Sequence, residues 1–149
     1  MSTTPQFAVT PKTGGCVWLP ATTANVKNDG TGTVGTDILL AYTAGASGAF
    51  IDRVRLQPVG GTAATATTAT VGRVYISTIT SGSTTSANTQ LWQEVACPAQ
   101  TTDQTTTATV PIDVPMGIRV AASDTILFSM HHAAAANTAW QVHVIVSDY

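Results

Sequence analysis

Three histidines, eight acidic residues and two cysteines are the groups of this 149-residue chain whose chemistry could be catalytic or metal-binding. His131 and His132 are adjacent, so on a strand they point to opposite faces and cannot both reach one ion. His143 lies in a separate segment, on the face opposite Trp140 and Val142 by alternation. A zinc site would need Asp124 or Asp148 as a further ligand, and loop or surface histidines are the simpler expectation. A hydrolytic triad needs a serine, a histidine and an acid converging, and no G-x-S-x-G turn is present. Glu94 is the only glutamate and the aspartates mostly sit at turns, where they bond the local backbone, so paired carboxylates for glycoside cleavage are not expected. Gly30-Thr31-Gly32 lacks the following lysine and helix of a phosphate loop and reads as a turn. No catalytic residue, cofactor or metal is expected, and the chain is read as a binding protein rather than an enzyme.

Binding residues are easier to find. Trp18, Trp92 and Trp140 could form a sugar-stacking platform, although tryptophan more often anchors a core or an interface. Arg53 and Arg55 sit in the stretch Ala44–Val59, where a small-residue turn empties into a strand. Alternation places Phe50, Val54 and Leu56 on one side and Ile51, Arg53 and Arg55 on the other. Asp52 breaks that pattern, which predicts a bulge or a buried pairing with a neighbouring charge. This stretch reads as a central strand of an antiparallel sheet, with the other segments as its partners.

The elements around it are strands. Cys16–Leu19, Val34–Thr43, Val71–Thr80, Thr89–Ala96, Gly117–Ala122, Thr125–Met130 and Ala139–Ser147 are rich in β-branched and aromatic residues and bounded by turn residues. The 71–80 and 89–96 segments form a hairpin with a long loop. Pro111 and Pro115 make the 110–115 stretch an edge or irregular strand. The Thr/Ala run to Thr70 is a loop or a solvated edge strand, and 131–137 is a loop despite its four alanines. No segment has a sustained 3.6-residue period, and parallel sheets need crossover helices. About eight strands at this spacing predict an all-β fold: an antiparallel two-sheet sandwich, jelly-roll-like, with an immunoglobulin-like sandwich as the alternative. Residues 1–15, with Pro5, Pro11 and Gly14-Gly15, read as an extended N-terminal arm carrying Phe7 and Val9, and 16–149 as the sandwich domain.

Composition narrows the function classes. Charged residues make up 9% of the chain against about 25% in typical domains, and Thr, Ala, Ser and Gly take their place. Six basic residues and a net charge of −2 do not make a nucleic-acid footprint. No apolar run approaches the length of a membrane span, and no secretory signal is expected at the N-terminus. Cys16 and Cys97 are expected as two free, partly buried thiols. An ion-poor surface of this kind suits packing against copies of itself or other shell proteins.

Four stretches together resemble a group of small tailed-bacteriophage virion proteins: Asn28-Asp29-Gly30-Thr31-Gly32; Thr43-Ala44-Gly45-Ala46-Ser47-Gly48 running into Ile51-Asp52-Arg53-Val54; Val114-Pro115-Met116-Gly117-Ile118 continuing to Ser123-Asp124; and the terminal Ser147-Asp148-Tyr149. Ser147 stands where that group has glycine, and the Thr/Ala stretches near 62–70 and 101–107 are longer than its pattern. The resemblance implies a structural protein of the virion, made in the host cytoplasm, that binds the major capsid protein or other virion proteins as a decoration or cement subunit. It also implies a homo-oligomer such as a trimer. Phe7, Val9, Arg53, Arg55 and Trp92 are the interface candidates. The alternatives are a carbohydrate-binding module of a phage fibre or host-recognition protein, or a tail or neck component.

Overall fold

The computed structural model of the protein describes residues 8, 10–61, 65–103 and 106–149. Phe7 and Val9 lie outside them, as does most of the expected arm. From Thr10 the chain already runs in β1 (Thr10–Trp18), so residues 10–15 belong to a sheet. The remaining strands are β2 (Gly32–Val34), β3 (Leu39–Thr43), β4 (Ala49–Gly60), β5 (Thr65–Ala66), β6 (Thr70–Ser77), β7 (Gly82–Thr84), β8 (Thr89–Cys97), β9 (Thr101–Thr102), β10 (Ile112–Val120), β11 (Thr125–Met130) and β12 (Thr138–Asp148). No helix occurs among the described residues.

Two four-stranded antiparallel sheets carry the fold, in the orders β1-β12-β4-β10 and β3-β11-β6-β8. Two short ribbons, β2-β7 and β5-β9, flank them. The long strands nest from the ends of the chain inward: β1 pairs with β12, β3 with β11, β4 with β10 and β6 with β8. Both sheets supply the same apolar core. Val54 and Leu56 of β4, Val114 of β10 and Val144 of β12 share one cluster with Val74 of β6 and Ile126 and Phe128 of β11. Trp18 joins it with its ring edge-on to Phe128, the centroids 6.1 Å apart.

Strand β4 is central, between β12 and β10, as its sequence predicts. Asp52 is where the ladder slips on both sides. On β12 the partners jump from Ile145↔Arg53 to Val146↔Ile51, and on β10 from Pro115↔Arg53 to Ile118↔Ile51. The bulge corrects the expected facing of β4. One extra residue reverses the alternation, so Ile51 is buried with Val54 and Leu56 while Phe50 lies on the outer side with Arg53 and Arg55. The turn before it needs glycine at position 48. Its φ is +82°, and a Cβ there would stand 2.5 Å from the Val120 carbonyl oxygen.

The two pieces expected at 110–115 and 117–122 are one strand, β10, bulged at Met116-Gly117. It lies at a sheet edge, where the missing N–H of Pro115 costs no ladder bond. The β6–β8 hairpin and strand β11 form where the alternation places them. The Thr-rich runs pair with each other through β5 and β9.

Candidate interaction face

The two sheets differ in what covers their outer sides. On the β3-β11-β6-β8 sheet, Tyr75 and Leu127 point outward and are buried by Ile38, with Val34 and Leu40 packed against them. Arg73 is buried beneath the same cover: its Nη1 donates to the Asn25 carbonyl at 2.7 Å and its Nε to Glu94 Oε1 at 2.7 Å. This buried guanidinium is tolerated because its Nε has a carboxylate acceptor and its Nη1 a carbonyl. The chain itself covers the middle of that side, while Leu91, paired with Tyr75 on the edge strand β8, stays exposed.

The β1-β12-β4-β10 sheet is open over much of its outer side. Thr109 covers one end, bonded to Gln57 Nε2 at 2.6 Å and to the Pro58 carbonyl at 3.0 Å. From Arg55 toward Phe50 the face is accessible and carries charges in close pairs. Arg55 and Asp113 stand directly opposite on β4 and β10 and join through two bonds of 2.7 and 2.8 Å. This fork holds the Asp113 carboxyl below the usual carboxylate range. Arg53 Nη1 lies 3.2 Å from Asp52 Oδ2, and both side chains are about half exposed (42% and 50%). The Nε of Arg53 is buried and has no hydrogen-bond partner among the described residues. Arg119 stacks over the ring of the terminal Tyr149, 5.3 Å from its centroid.

Of the interface candidates, Arg53 and Arg55 therefore share this face. Trp92 stands apart from them at the adjoining corner, where the edge strands of the two sheets meet. A bulge in β8, opposite Val74 and Tyr75 of β6, leaves Trp92 without a ladder partner on β6. Trp92 is 39% exposed, and its indole Nε1 donates to the Pro115 carbonyl of β10 at 3.3 Å. Leu91 beside it is 37% exposed. Trp18 and Trp140 are fully buried, so the three tryptophans do not form a common platform. Asp113 was missed as a member of the face, because a turn-like reading of aspartate hides its use in cross-strand pairing; Asp52 was read as a break in the pattern but not as part of the face. The bulge signal at Asp52 was the available clue.

Among the other polar candidates, His143 is exposed on β12 beside Arg55 of β4. His131 and His132 lie in a loop with their rings edge-on, 4.7 Å apart. Asp124 Oδ2 accepts the Ala121 N–H at 2.8 Å. Asp148 is buried between Lys12 of β1 and Tyr42 of β3, accepting a hydrogen bond from each. Among the described residues no three metal-ligating side chains gather. Cys16 and Cys97 are free thiols, and burial pushes Cys16 up to about 12 and Cys97 up to about 11. Because the thiolate is the reactive species, both should react with Ellman's reagent at pH 8 at least about a hundredfold more slowly in the native protein than in guanidinium. Fast labelling of the native chain would contradict this burial.

Three of the resemblance stretches, distant in sequence, meet at one corner of the fold. The Tyr149 N–H reaches the Gly48 carbonyl at 3.4 Å, and Asp148 and Val120 both pair with Ala49. Ala44 N–H donates to the Asp124 carbonyl at 2.8 Å and the Ser123 N–H to the Ala44 carbonyl at 3.3 Å. The fourth stretch, around Gly30, packs instead on the Thr89 carbonyl of β8. Comparison with family models, curated proteins and solved structures finds no match.

Proposed function

We propose that this chain is a structural subunit of a tailed-phage virion, a jelly-roll sandwich that attaches to the particle surface as a decoration or cement protein. The nesting of strands, first with last and so on inward across two sheets, supports the jelly-roll reading. The observation that carries the functional reading is the junction of the 43–54, 114–124 and 147–149 stretches. The residues that resemble phage virion proteins build one hydrogen-bonded corner, as expected if they preserve a shared architecture rather than a catalytic site. The ion-poor exterior of the chain, with 9% charged residues, suits attachment through shape and apolar contact rather than ion pairs.

Mixing the purified protein with undecorated heads and measuring occupancy tests the reading. Stoichiometric uptake is the expected result, and no uptake overturns it. Uptake by tails in place of heads moves the subunit to a tail or neck position. Removing residues 1–9 should weaken attachment while leaving the thermal melt unchanged, since β1 begins at Thr10. Unchanged occupancy would exclude a role for that segment.

The exposed indole of Trp92 favours a second reading, a sugar-binding surface on a fibre or host-recognition protein. It predicts glycan-array binding that Trp92→Ala abolishes without unfolding the chain. An array with no hits disposes of it.

A further inference from the structure

We propose that the outer face of the β1-β12-β4-β10 sheet docks on the same face of a second copy of this chain, with Asp52 of each copy against Arg53 of the other. The inference rests on reading the chain as an adhesive subunit and specifies one of its partners.

The charges of the face point to a copy of itself. Asp52 sits beside Arg53, and Asp113 beside Arg55, each pair about half exposed. A face of one sign would repel its own duplicate; a face of adjacent opposite charges is self-complementary. In a two-fold contact residue i meets j while j meets i, so an axis passing between Asp52 and Arg53 brings each carboxylate to the other chain's guanidinium. The bulge at Asp52 makes this possible. It places two consecutive side chains close enough to pair, which regular alternation forbids.

The pairing of the two arginines points the same way. Arg55 holds Asp113 with two prongs, whereas Arg53 meets Asp52 through Nη1 alone and its side chain stays 42% exposed, open to a second carboxylate. Phe50, Ile145 and Pro115 surround the pair and supply apolar area that a copy would cover. On the opposite sheet Ile38 and Val34 already lie over Tyr75 and Leu127.

Sedimentation equilibrium of the full chain tests the contact. The wild-type protein should dimerise. Arg53→Asp leaves only acids at the axis and Asp52→Arg only arginines, so each variant should dimerise about a hundredfold more weakly. An equimolar mixture of the two should associate with an affinity near that of the wild type, because each supplies the charges the other lacks. Should a reversal unfold the chain, Arg53→Gln and Asp52→Asn remove the charge in its place and should each weaken dimerisation about tenfold. A monomeric wild type, a trimer, variants that associate as the wild type does, or a mixture that stays monomeric would each overturn the proposal. The measurement uses no phage particle, so its failure leaves the head-binding result standing, and failure to bind heads leaves this one standing.

Discussion

Trp18→Ala should lower the unfolding free energy by about 3–5 kcal/mol, the range for removing a large aromatic side chain from a packed core. Trp18 is fully buried at the end of β1 and lies edge-on against Phe128 of the facing sheet. Its indole Nε1 also donates to the His132 carbonyl at 2.9 Å, tying the loop after β11 to the edge of the other sheet. Truncation opens a cavity between the sheets and strands that carbonyl. Trp18→Phe separates the two effects: it keeps most of the ring but removes the donor, and should cost about 1–3 kcal/mol. Since whole domains are stable by about 5–15 kcal/mol, the alanine variant should be marginal at 37 °C. Denaturant titration reads both values. A loss below about 1 kcal/mol for the alanine variant would show that the ring does not join the sheets.

Acidification should expose the second large effect, at Asp148. Hydrogen bonds from Lys12 and then from Tyr42 hold its carboxyl below the usual carboxylate range. The Tyr42 hydroxyl is correspondingly pushed up, first by burial and then by its bond to Asp148. Asp148 thus binds its proton less readily folded than unfolded. Its contribution is complete above the ordinary carboxylate pKa of about 4 and fades as pH falls through the lower folded value. Asp148→Asn should cost about 2 kcal/mol at pH 7, the scale of a charge-assisted hydrogen bond. The wild-type and variant stabilities should converge as pH drops below about 4, even though Asp113 and Asp29 titrate in the same range. A gap between the two that does not change with pH would show that the Asp148 charge does not hold β1 and β3 together.

Both predictions concern contacts between residues more than a hundred positions apart, and this marks what sequence reading could and could not reach. Period-two alternation placed β6, β8, β11 and β12 within a few residues, because a half-buried strand repeats its burial every second side chain. Proline at 115 placed β10 at an edge, because a residue without an N–H cannot serve a central ladder. The break in alternation at Asp52 pointed to a bulge, because an extra residue shifts every later side chain to the other face. Its consequence for Ile51 was not visible, since the direction of the slip depends on what β10 and β12 place opposite.

The interaction face shows the same division. Arg53 and Arg55 were legible as outward residues of a central strand. The assignment of Trp92 to another corner, and the burial of Trp18 and Trp140, were not, because nothing local records which sheet a strand joins.

By itself the amino-acid sequence determined the all-β class, the central position of β4, the bulge at Asp52 and the ion-poor character of the surface. These follow from short-range sterics and composition, which each segment carries within itself. Tertiary structure alone decided the nesting of strands, the bedding of Arg73 under Asn25, the joining of Lys12, Tyr42 and Asp148, and which sheet face stays open. Those depend on long-range pairing, where the stabilising partner lies on another strand and leaves no mark in the local pattern.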